Sequence, residues 1–196
     1  MKIAVLLSGT GRTLENLLGC IAHGTLNVEI VAVISNKVAV RGNEVAIVHK
    51  LPFFLLPEKF QLGQDLFCIL GDCGVQLLCL AGFTAKLTVP ETWLNKIMNI
   101  HPALLPSFGG KGFYGEKVHK AVLEHGCKVS GCTVHFVDNE YDHGPIILQK
   151  AVEVKSDDTP ENLAYRVFQA ECQAYPEAIR LFQSGALQVS GRCVYH

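Results

Sequence analysis

The sequence predicts an α/β fold, with a doubly wound and mostly parallel sheet that has helices on both faces. Short apolar runs rich in β-branched residues alternate with helix-like stretches, and the runs are apolar on both faces, as in buried parallel strands. With 196 residues and 49% hydrophobic content, the chain is long enough to bury a core of its own. We therefore expect a single domain, 1–196, with halves 1–95 and 96–196.

The first half is predicted to consist of successive strand and helix units. The expected strands are KIAVLL at 2–7, VEIVAVIS at 28–35, FFLL at 53–56 and VQLLCLAG at 75–82. The expected helices are TLENLLGCIAHG at 13–24, GNEVAIVHK at 42–50 and GQDLFCILGDC at 63–73. Because ligands of open parallel sheets bind beyond the carboxyl ends of the strands, we expect the chemistry at that edge.

The pattern changes in the second half. A strand, KIMNIH at 96–101, precedes a glycine-rich loop, a helix around EKVHKAVLEHG, and two strands, VSGCTVHFV and PIILQKAVEV. A closing helix is expected to begin with Thr159 as its N-cap and Pro160 in its first turn, and to end before Gly185. Pro176 is expected to kink or split this helix.

Charge and hydropathy exclude several classes of protein. The net charge is −1 and no basic stripe is present, which argues against a nucleic-acid partner. The most apolar stretch, at 67–83, is interrupted by Asp72 and Gln76 and is too short for a membrane helix. The opening segment is also too short for a signal peptide. These observations predict a cytoplasmic protein without a membrane partner.

The eight cysteines predict reduced, buried thiols rather than a disulfide framework, since most of them stand in apolar runs. The sequence has no C-x-x-C pair, and its eight histidines are scattered rather than set at ligand spacing. We therefore expect no metal site.

A glycine-rich turn, SGTGRTLENLL at 8–18, follows the first strand. Gly9 and Gly11 would let backbone N–H groups face an anion at the start of the first helix, which is typical of a phosphate site. Leu14 stands where a dinucleotide fingerprint needs a third glycine, and no acidic residue ends the second strand, which disfavours NAD. A tight turn without a ligand is the alternative.

Two further segments carry candidate catalytic groups. In NIHPALLPSFGG, Asn99 and His101 share one side of a strand end, and prolines stiffen the exit. In GCTVHFVDNEYDHGPIILQ, Asp142 stands before a Gly-Pro turn that would fix its direction toward His101, whereas Asp138 and Glu140 read as surface residues. Either Asn99 or His101 alone would more often be a cap or a core residue.

Four motifs together resemble the folate-dependent phosphoribosylglycinamide formyltransferase family: SGTGRTL, LAGF at 80–83, NIHPALLPSF and HFVDNEYDHGPIILQ. The resemblance implies a Rossmann-like formyltransferase fold and formyl transfer from 10-formyltetrahydrofolate to the amine of glycinamide ribonucleotide in de novo purine biosynthesis. It implies small-molecule substrates, no metal, no tightly bound cofactor, and a monomer or homodimer. Residues 1–95 would bind the ribonucleotide, and 96–196 would bind folate and carry the catalytic groups.

The resemblance also implies the roles of individual residues. The catalytic residues would be Asn99, His101 and Asp142, with Asn99 and protonated His101 donating hydrogen bonds to the developing oxyanion. The ribonucleotide would be bound by Ser8, Gly9, Thr10, Gly11, Arg12, Thr13 and Glu171. Folate would be bound by Gly82, Thr84, Ala85, Lys86, Leu87, Val137, Asp138 and Asp142.

Some features depart from the family pattern. Arg12 and Thr13 replace a common Ser-Asn pair, and Thr84-Ala85-Lys86 replaces Met-Arg-Ile. The loop at 109–119 is longer than usual, and this loop is expected to be either a mobile flap beside the site or an inert loop. Methionyl-tRNA formyltransferase and formyltetrahydrofolate hydrolase share the three catalytic residue types but are longer proteins. A non-catalytic nucleotide-binding module is the alternative from another class.

Overall fold

The computed structural model describes residues 1–56 and 63–196 and contains two compact units, Met1–Met98 and Asn99–His196. The first unit contains β1 (Lys2–Leu7), α1 (Arg12–Ala22), β2 (Glu29–Ser35), α2 (Arg41–Val48), β3 (Phe53–Leu55), α3 (Gln64–Asp72), β4 (Leu77–Leu80) and a short 3-10 helix (Glu91–Trp93). Strand β5 (Ile97–His101) begins with the last two residues of the first unit and continues into the second. The second unit contains α4 (Glu116–Glu124), β6 (Val129–Phe136), β7 (Ile146–Glu153), α5 (Pro160–Gln183), β8 (Gln188–Ser190) and β9 (Cys193–Tyr195).

The first unit is built on a parallel sheet in the order β3-β2-β1-β4. Its central strand, β1, is apolar from Ile3 to Leu7, and these five residues have no exposed surface. Burial on both faces explains why the strand shows no alternation of polar and apolar residues. The prediction of an α/β fold with a mostly parallel sheet is confirmed.

The second unit departs from purely parallel pairing. Strands β6 and β7 are antiparallel, β9 is parallel to β7, and β8 is antiparallel to β9. The hairpin of β8 and β9 was not expected from the sequence, because each strand has only three residues and its central valine is only half-buried. Helix α5 packs on β6 and β7.

Helix α5 begins as predicted, with the Thr159 hydroxyl accepting the Asn162 N–H at 3.3 Å and Pro160 in its first turn. It ends before Gly185, whose φ of 71° is the left-handed conformation typical of a residue after a helix. The expectation that Pro176 splits the helix is wrong. Pro176 is buried within a continuous helix, and packing of this face outweighs the hydrogen bond that proline cannot donate.

All eight cysteines are unbridged, as expected, but most are not buried. Only Cys79 and Cys132 are fully buried, while Cys68 and Cys193 are exposed. The expectation that most cysteines are buried is wrong, because an apolar run in an amphipathic helix or an edge hairpin also contains positions that face the solvent. Over residues 1–56 and 63–196, no helix combines the length and apolar character required to cross a membrane.

Candidate active site

Three polar side chains meet at the end of β5. Asn99 and His101 are two residues apart on this strand and therefore share a face. The Asn99 amide nitrogen lies 3.4 Å from Asp142 Oδ1, and His101 Nδ1 lies 3.5 Å from Asp142 Oδ2. The structure thus brings together the three residues that we expected to be catalytic, although Asn99 and Asp142 are 43 positions apart in the chain.

The turn between β6 and β7 places Asp142. This residue has a φ of 52°, which is unusual for a residue with a side chain. A Cβ on Gly144 would overlap the carbonyl oxygen of Phe136, so only glycine allows the turn to pass this close to β6. Asp142 Oδ2 also accepts the Gly110 N–H at 2.9 Å. The carboxylate is therefore held both by its own turn and by the glycine-rich loop.

His101 is 3% exposed, and its Nε2 lies 2.8 Å from the carbonyl oxygen of Phe108. Because a carbonyl only accepts, Nε2 carries the proton of the neutral ring, and Nδ1 presents a lone pair beside Asp142. Burial lowers the pKa of His101 below its ordinary 6.5, although Asp142 and the Phe108 carbonyl oppose this shift. The lowered pKa favours a neutral His101 in the resting site, so the expected protonated His101 stays a prediction for the reacting state.

Asp142 carries the negative charge of this site. Burial acts to raise the pKa of its carboxyl group, but the neighbouring His101 and the Gly110 N–H oppose this shift, and the pKa lies below the ordinary 3.8. Asp142 is consequently ionised at neutral pH. A proton arriving at His101 Nδ1 would lie beside a carboxylate, which favours the charged ring.

The segment that leaves β5 is tied to the neighbouring strands. The Thr133 hydroxyl donates to the Ala103 carbonyl at 2.7 Å and accepts the Leu105 N–H at 3.0 Å. Gln149 donates to the Leu105 carbonyl at 3.0 Å and to the Thr133 hydroxyl at 2.9 Å. The exit at 102–106 is thus held by hydrogen bonds in addition to the stiffness of its prolines.

The first residues of the glycine-rich loop belong to the site. The Phe108 carbonyl faces His101, and the Gly110 N–H binds Asp142. A Cβ on Gly109 would overlap the Leu105 side chain and would lie 3.3 Å from the Asp142 Cβ. Gly109 and Gly110 therefore contact a candidate catalytic residue, while the flap and inert-loop alternatives for 109–119 both stay open.

Two buried histidines near this site were not predicted to belong to it. His135, on β6, is 2% exposed, and its Nε2 lies 3.2 Å from the Asn99 amide nitrogen. His119, on α4, is 4% exposed; burial, followed by the charge of His101, lowers its pKa to about 4. In the sequence, the only sign of either residue is a polar side chain within a segment that contains apolar residues. Such a pattern does not predict which side chains lie beside it in the fold.

In the first unit, the opening turn ends at Gly11, the N-cap of α1, with a φ of 78°. A Cβ on Gly11 would lie 2.6 Å from the Gly42 Cα, whereas a Cβ on Gly9 would meet nothing within 4 Å. The N-cap is a glycine, which has no side chain to cap the N-terminus of α1. Its first backbone N–H groups are thus suited to an anion, and Gly9 leaves space there.

Ser8 joins three segments of the first unit. Its hydroxyl donates to Asn36 Oδ1 at 2.7 Å and accepts the Thr84 N–H at 3.1 Å. The opening turn is therefore connected to the segment that we expected to bind folate. Both contacts are made within the protein, so the structure gives the Ser8 side chain a scaffolding role.

The remaining expected site residues differ in exposure. Thr10, Arg12, Gly82, Thr84 and Lys86 are exposed; Thr13, Ala85, Val137, Asp138 and Glu171 are half-buried; Leu87 is buried. Leu87, which is 4% exposed, contributes to the core of the first unit. Exposure alone does not show what the other residues bind, so their binding roles stay predictions.

Asp138 stabilises the loop that leads to Asp142. Its carboxylate accepts the Glu140 N–H at 2.8 Å and the His143 Nδ1–H at 2.7 Å. Arg192, between β8 and β9, donates to His143 Nε2 and to the His143 carbonyl, the latter at 2.7 Å. The C-terminal hairpin is thereby connected to the loop.

Known proteins with similar sequences and folds identify the family of this chain. A family model described as formyl transferase matches residues 1–179. The chain belongs to the formyl transferase family. The crystal structure of glycinamide ribonucleotide transformylase 1 from Symbiobacterium toebii resembles this formyl transferase with a TM-score of 0.89 and 40% sequence identity, covering 100% of this chain and 93% of that one.

Curated relatives of this formyl transferase are longer. The trifunctional purine biosynthetic protein adenosine-3 of Gallus gallus is 45% identical over 196 residues, which are 96% of this chain and 19% of that protein. The chloroplastic phosphoribosylglycinamide formyltransferase of Arabidopsis thaliana is 41% identical over 186 residues, which are 91% of this chain and 64% of that protein. The chain therefore spans less than two thirds of the length of either relative.

Proposed function

We propose that this formyl transferase moves a formyl group from 10-formyltetrahydrofolate to the amine of glycinamide ribonucleotide, a step of de novo purine biosynthesis. The observation that carries the proposal is the convergence of Asn99, His101 and Asp142 in a member of this family. The names of similar proteins, which include a phosphoribosylglycinamide formyltransferase and a glycinamide ribonucleotide transformylase, support the choice of substrate.

The proposed reaction begins when the amine nitrogen attacks the formyl carbon and the carbonyl oxygen becomes negatively charged. An Asn99 N–H donates to this oxygen, which stabilises the charge as it forms. His101 Nδ1 accepts the proton that the amine loses, and Asp142 stabilises the resulting imidazolium. Transfer of that proton to the departing folate nitrogen breaks the old C–N bond and restores the neutral histidine.

Substrate binding follows from the same proposal. The turn formed by Ser8, Gly9, Thr10, Gly11, Arg12 and Thr13 binds the ribonucleotide phosphate through backbone N–H groups, and Glu171 binds the ribose. The segment from Gly82 to Leu87 and the loop from Val137 to Asp142 bind folate. The glycine N-cap of α1 and the open space beside Gly9 support the phosphate assignment.

The proposed enzyme needs no metal and no tightly bound cofactor, because its own side chains supply the donors and the base. It acts in the cytoplasm on small molecules, as a monomer or homodimer, without a nucleic-acid or membrane partner. Within the described residues, no group of three or more His, Cys, Asp or Glu side chains is placed to hold a metal ion.

The test is a transfer assay in which tetrahydrofolate release is measured with and without glycinamide ribonucleotide. The proposal predicts release only with the ribonucleotide, together with an equal amount of formylated ribonucleotide. Folate hydrolysis that ignores the ribonucleotide would instead identify a hydrolase. Binding of the ribonucleotide without turnover would identify a non-catalytic binding module.

A further inference from the structure

His135 contacts two of the three proposed catalytic residues but has no role in the proton transfers described above. Its side chain is 2% exposed. Its Nε2 lies 3.2 Å from the Asn99 amide nitrogen and 3.7 Å from Asp142 Oδ1. Its Nδ1 lies 2.7 Å from the carbonyl oxygen of Phe136, on the same strand.

These neighbours determine where the protons lie. The Phe136 carbonyl only accepts, so His135 Nδ1 is the protonated nitrogen. The Asp142 carboxylate also only accepts, so the group of Asn99 that lies 3.4 Å from it is the NH₂ rather than the carbonyl. The same NH₂ faces His135 Nε2, which must then be an unprotonated acceptor.

The two amide hydrogens of Asn99 are therefore held unequally. One is donated to His135 Nε2 at 3.2 Å. The other points to Asp142 over 3.4 Å, which is long for a hydrogen bond to a charged acceptor. A stronger acceptor that entered the site would take this second hydrogen without disturbing the first.

We propose that His135 is a positioning residue that holds one Asn99 amide hydrogen on its Nε2 and so directs the other toward the oxygen of the transferred formyl group. This inference rests on the proposed function. Without an acceptor at this point, the Asn99 amide would rotate to satisfy the lost hydrogen bond. The donor that stabilises the oxyanion would then lose its direction.

Two substitutions of similar size separate the two ring nitrogens. His135→Gln keeps an acceptor near the position of Nε2, whereas His135→Asn keeps a donor near the position of Nδ1 and removes the acceptor. We expect His135→Asn to lower kcat about tenfold or more, because a misdirected Asn99 amide stabilises the oxyanion less, as when an oxyanion donor is removed. The KM values of both substrates should stay within about twofold, and His135→Gln should recover most of the lost kcat.

A double-mutant cycle with Asn99→Ala distinguishes positioning from a general structural role. If His135 acts through Asn99, His135→Asn should lower kcat little further in the Asn99→Ala background. Val134→Ala, which removes buried side-chain atoms from the same strand, controls for loss of stability. It should lower the melting temperature and leave kcat unchanged.

The inference fails if His135→Asn turns over at the wild-type rate, if the Gln and Asn variants lose equal activity, or if the losses in the cycle are additive.

NMR supplies a test that does not need turnover. Nitrogen-15 shifts of the His135 ring should show a proton on Nδ1 and none on Nε2, and His135→Asn should shift the Asn99 side-chain amide. A protonated Nε2 at neutral pH overturns the inference, whereas an inactive wild-type enzyme with the expected shifts overturns only the proposed function.

Discussion

His101 and Asp142 face each other through Nδ1 and Oδ2 at 3.5 Å, a distance too long for a hydrogen bond, while the other ring nitrogen of His101 is directed at the Phe108 carbonyl. This pairing leaves the His101 Nδ1 lone pair available and keeps a carboxylate beside it. The arrangement suits a base that becomes stabilised only after it has accepted a proton.

Asp142→Asn keeps the shape of the side chain and removes its charge. Because the imidazolium formed during turnover loses its carboxylate neighbour, we expect kcat to fall by about two orders of magnitude or more. Ribonucleotide affinity should be nearly unchanged, since the proposed phosphate site does not include Asp142. Steady-state kinetics and calorimetric titration measure both quantities. Wild-type turnover in the variant would remove Asp142 from the mechanism.

The dependence of kcat/KM on pH tests the resting state of His101. Its pKa is lowered by burial, so a neutral base requires activity to be lost as the pH falls through a value below 6.5. The Asp142 charge acts to raise this pKa, and in Asp142→Asn the acidic limb should therefore move to lower pH. Rates measured from about pH 5 to 9 cover the range. Activity that falls instead as the pH rises through this region would indicate a protonated His101.

His119 should make stability sensitive to acid. Its pKa of about 4 in the folded protein lies below the ordinary 6.5, so between these values the unfolded chain binds more protons. The stabilising contribution is complete above pH 6.5 and is lost as the pH falls toward 4. We expect a loss of about 2 kcal/mol at pH 5 relative to pH 7 from this group.

The control for His119 is His119→Leu, in which the titrating group is replaced by an apolar side chain. Urea unfolding of both proteins at pH 7 and pH 5 gives the comparison. The difference in unfolding free energy between the two pH values should be smaller in the variant. Equal pH sensitivity in the two proteins would show that other groups carry the acid response.

Gly9 and Gly11 should respond differently to substitution by alanine. Gly9→Ala enters open space, so the fold should be retained, but the methyl group would obstruct the proposed approach of phosphate. Gly11→Ala strains a φ of 78° and clashes with the Gly42 backbone, so it should destabilise the first unit and weaken both ligands. Titration with each ligand and thermal melting separate the effects. Equal weakening of folate and ribonucleotide by Gly9→Ala would remove the turn from the phosphate site.

The sequence was informative where local rules suffice. Thr159, Pro160 and Gly185 mark the ends of α5 because capping depends on a few adjacent residues. Asn99 and His101 could be paired because strand geometry places alternate residues on one face. Asp142 could be added because the Gly-Pro turn after it restricts its direction.

Features that depend on tertiary packing could not be predicted in the same way. The contact between His135 and Asn99 joins residues 36 positions apart, and no local pattern specifies it. The continuity of α5 through Pro176 depends on burial of that face, which outweighs the local preference. The lowered pKa of His101 likewise reflects burial, whereas its nearest charged neighbour alone would raise that pKa.

The most direct measurement follows a carbon-13 formyl group from 10-formyltetrahydrofolate in a single turnover with glycinamide ribonucleotide and excess chelator. We predict that the label reaches the amine of the ribonucleotide in wild-type protein, and that Asn99→Ala and His101→Ala slow this step strongly. Label recovered as free formate in the presence of the ribonucleotide, or transfer that is abolished by the chelator and restored by a metal ion, would contradict the proposed function.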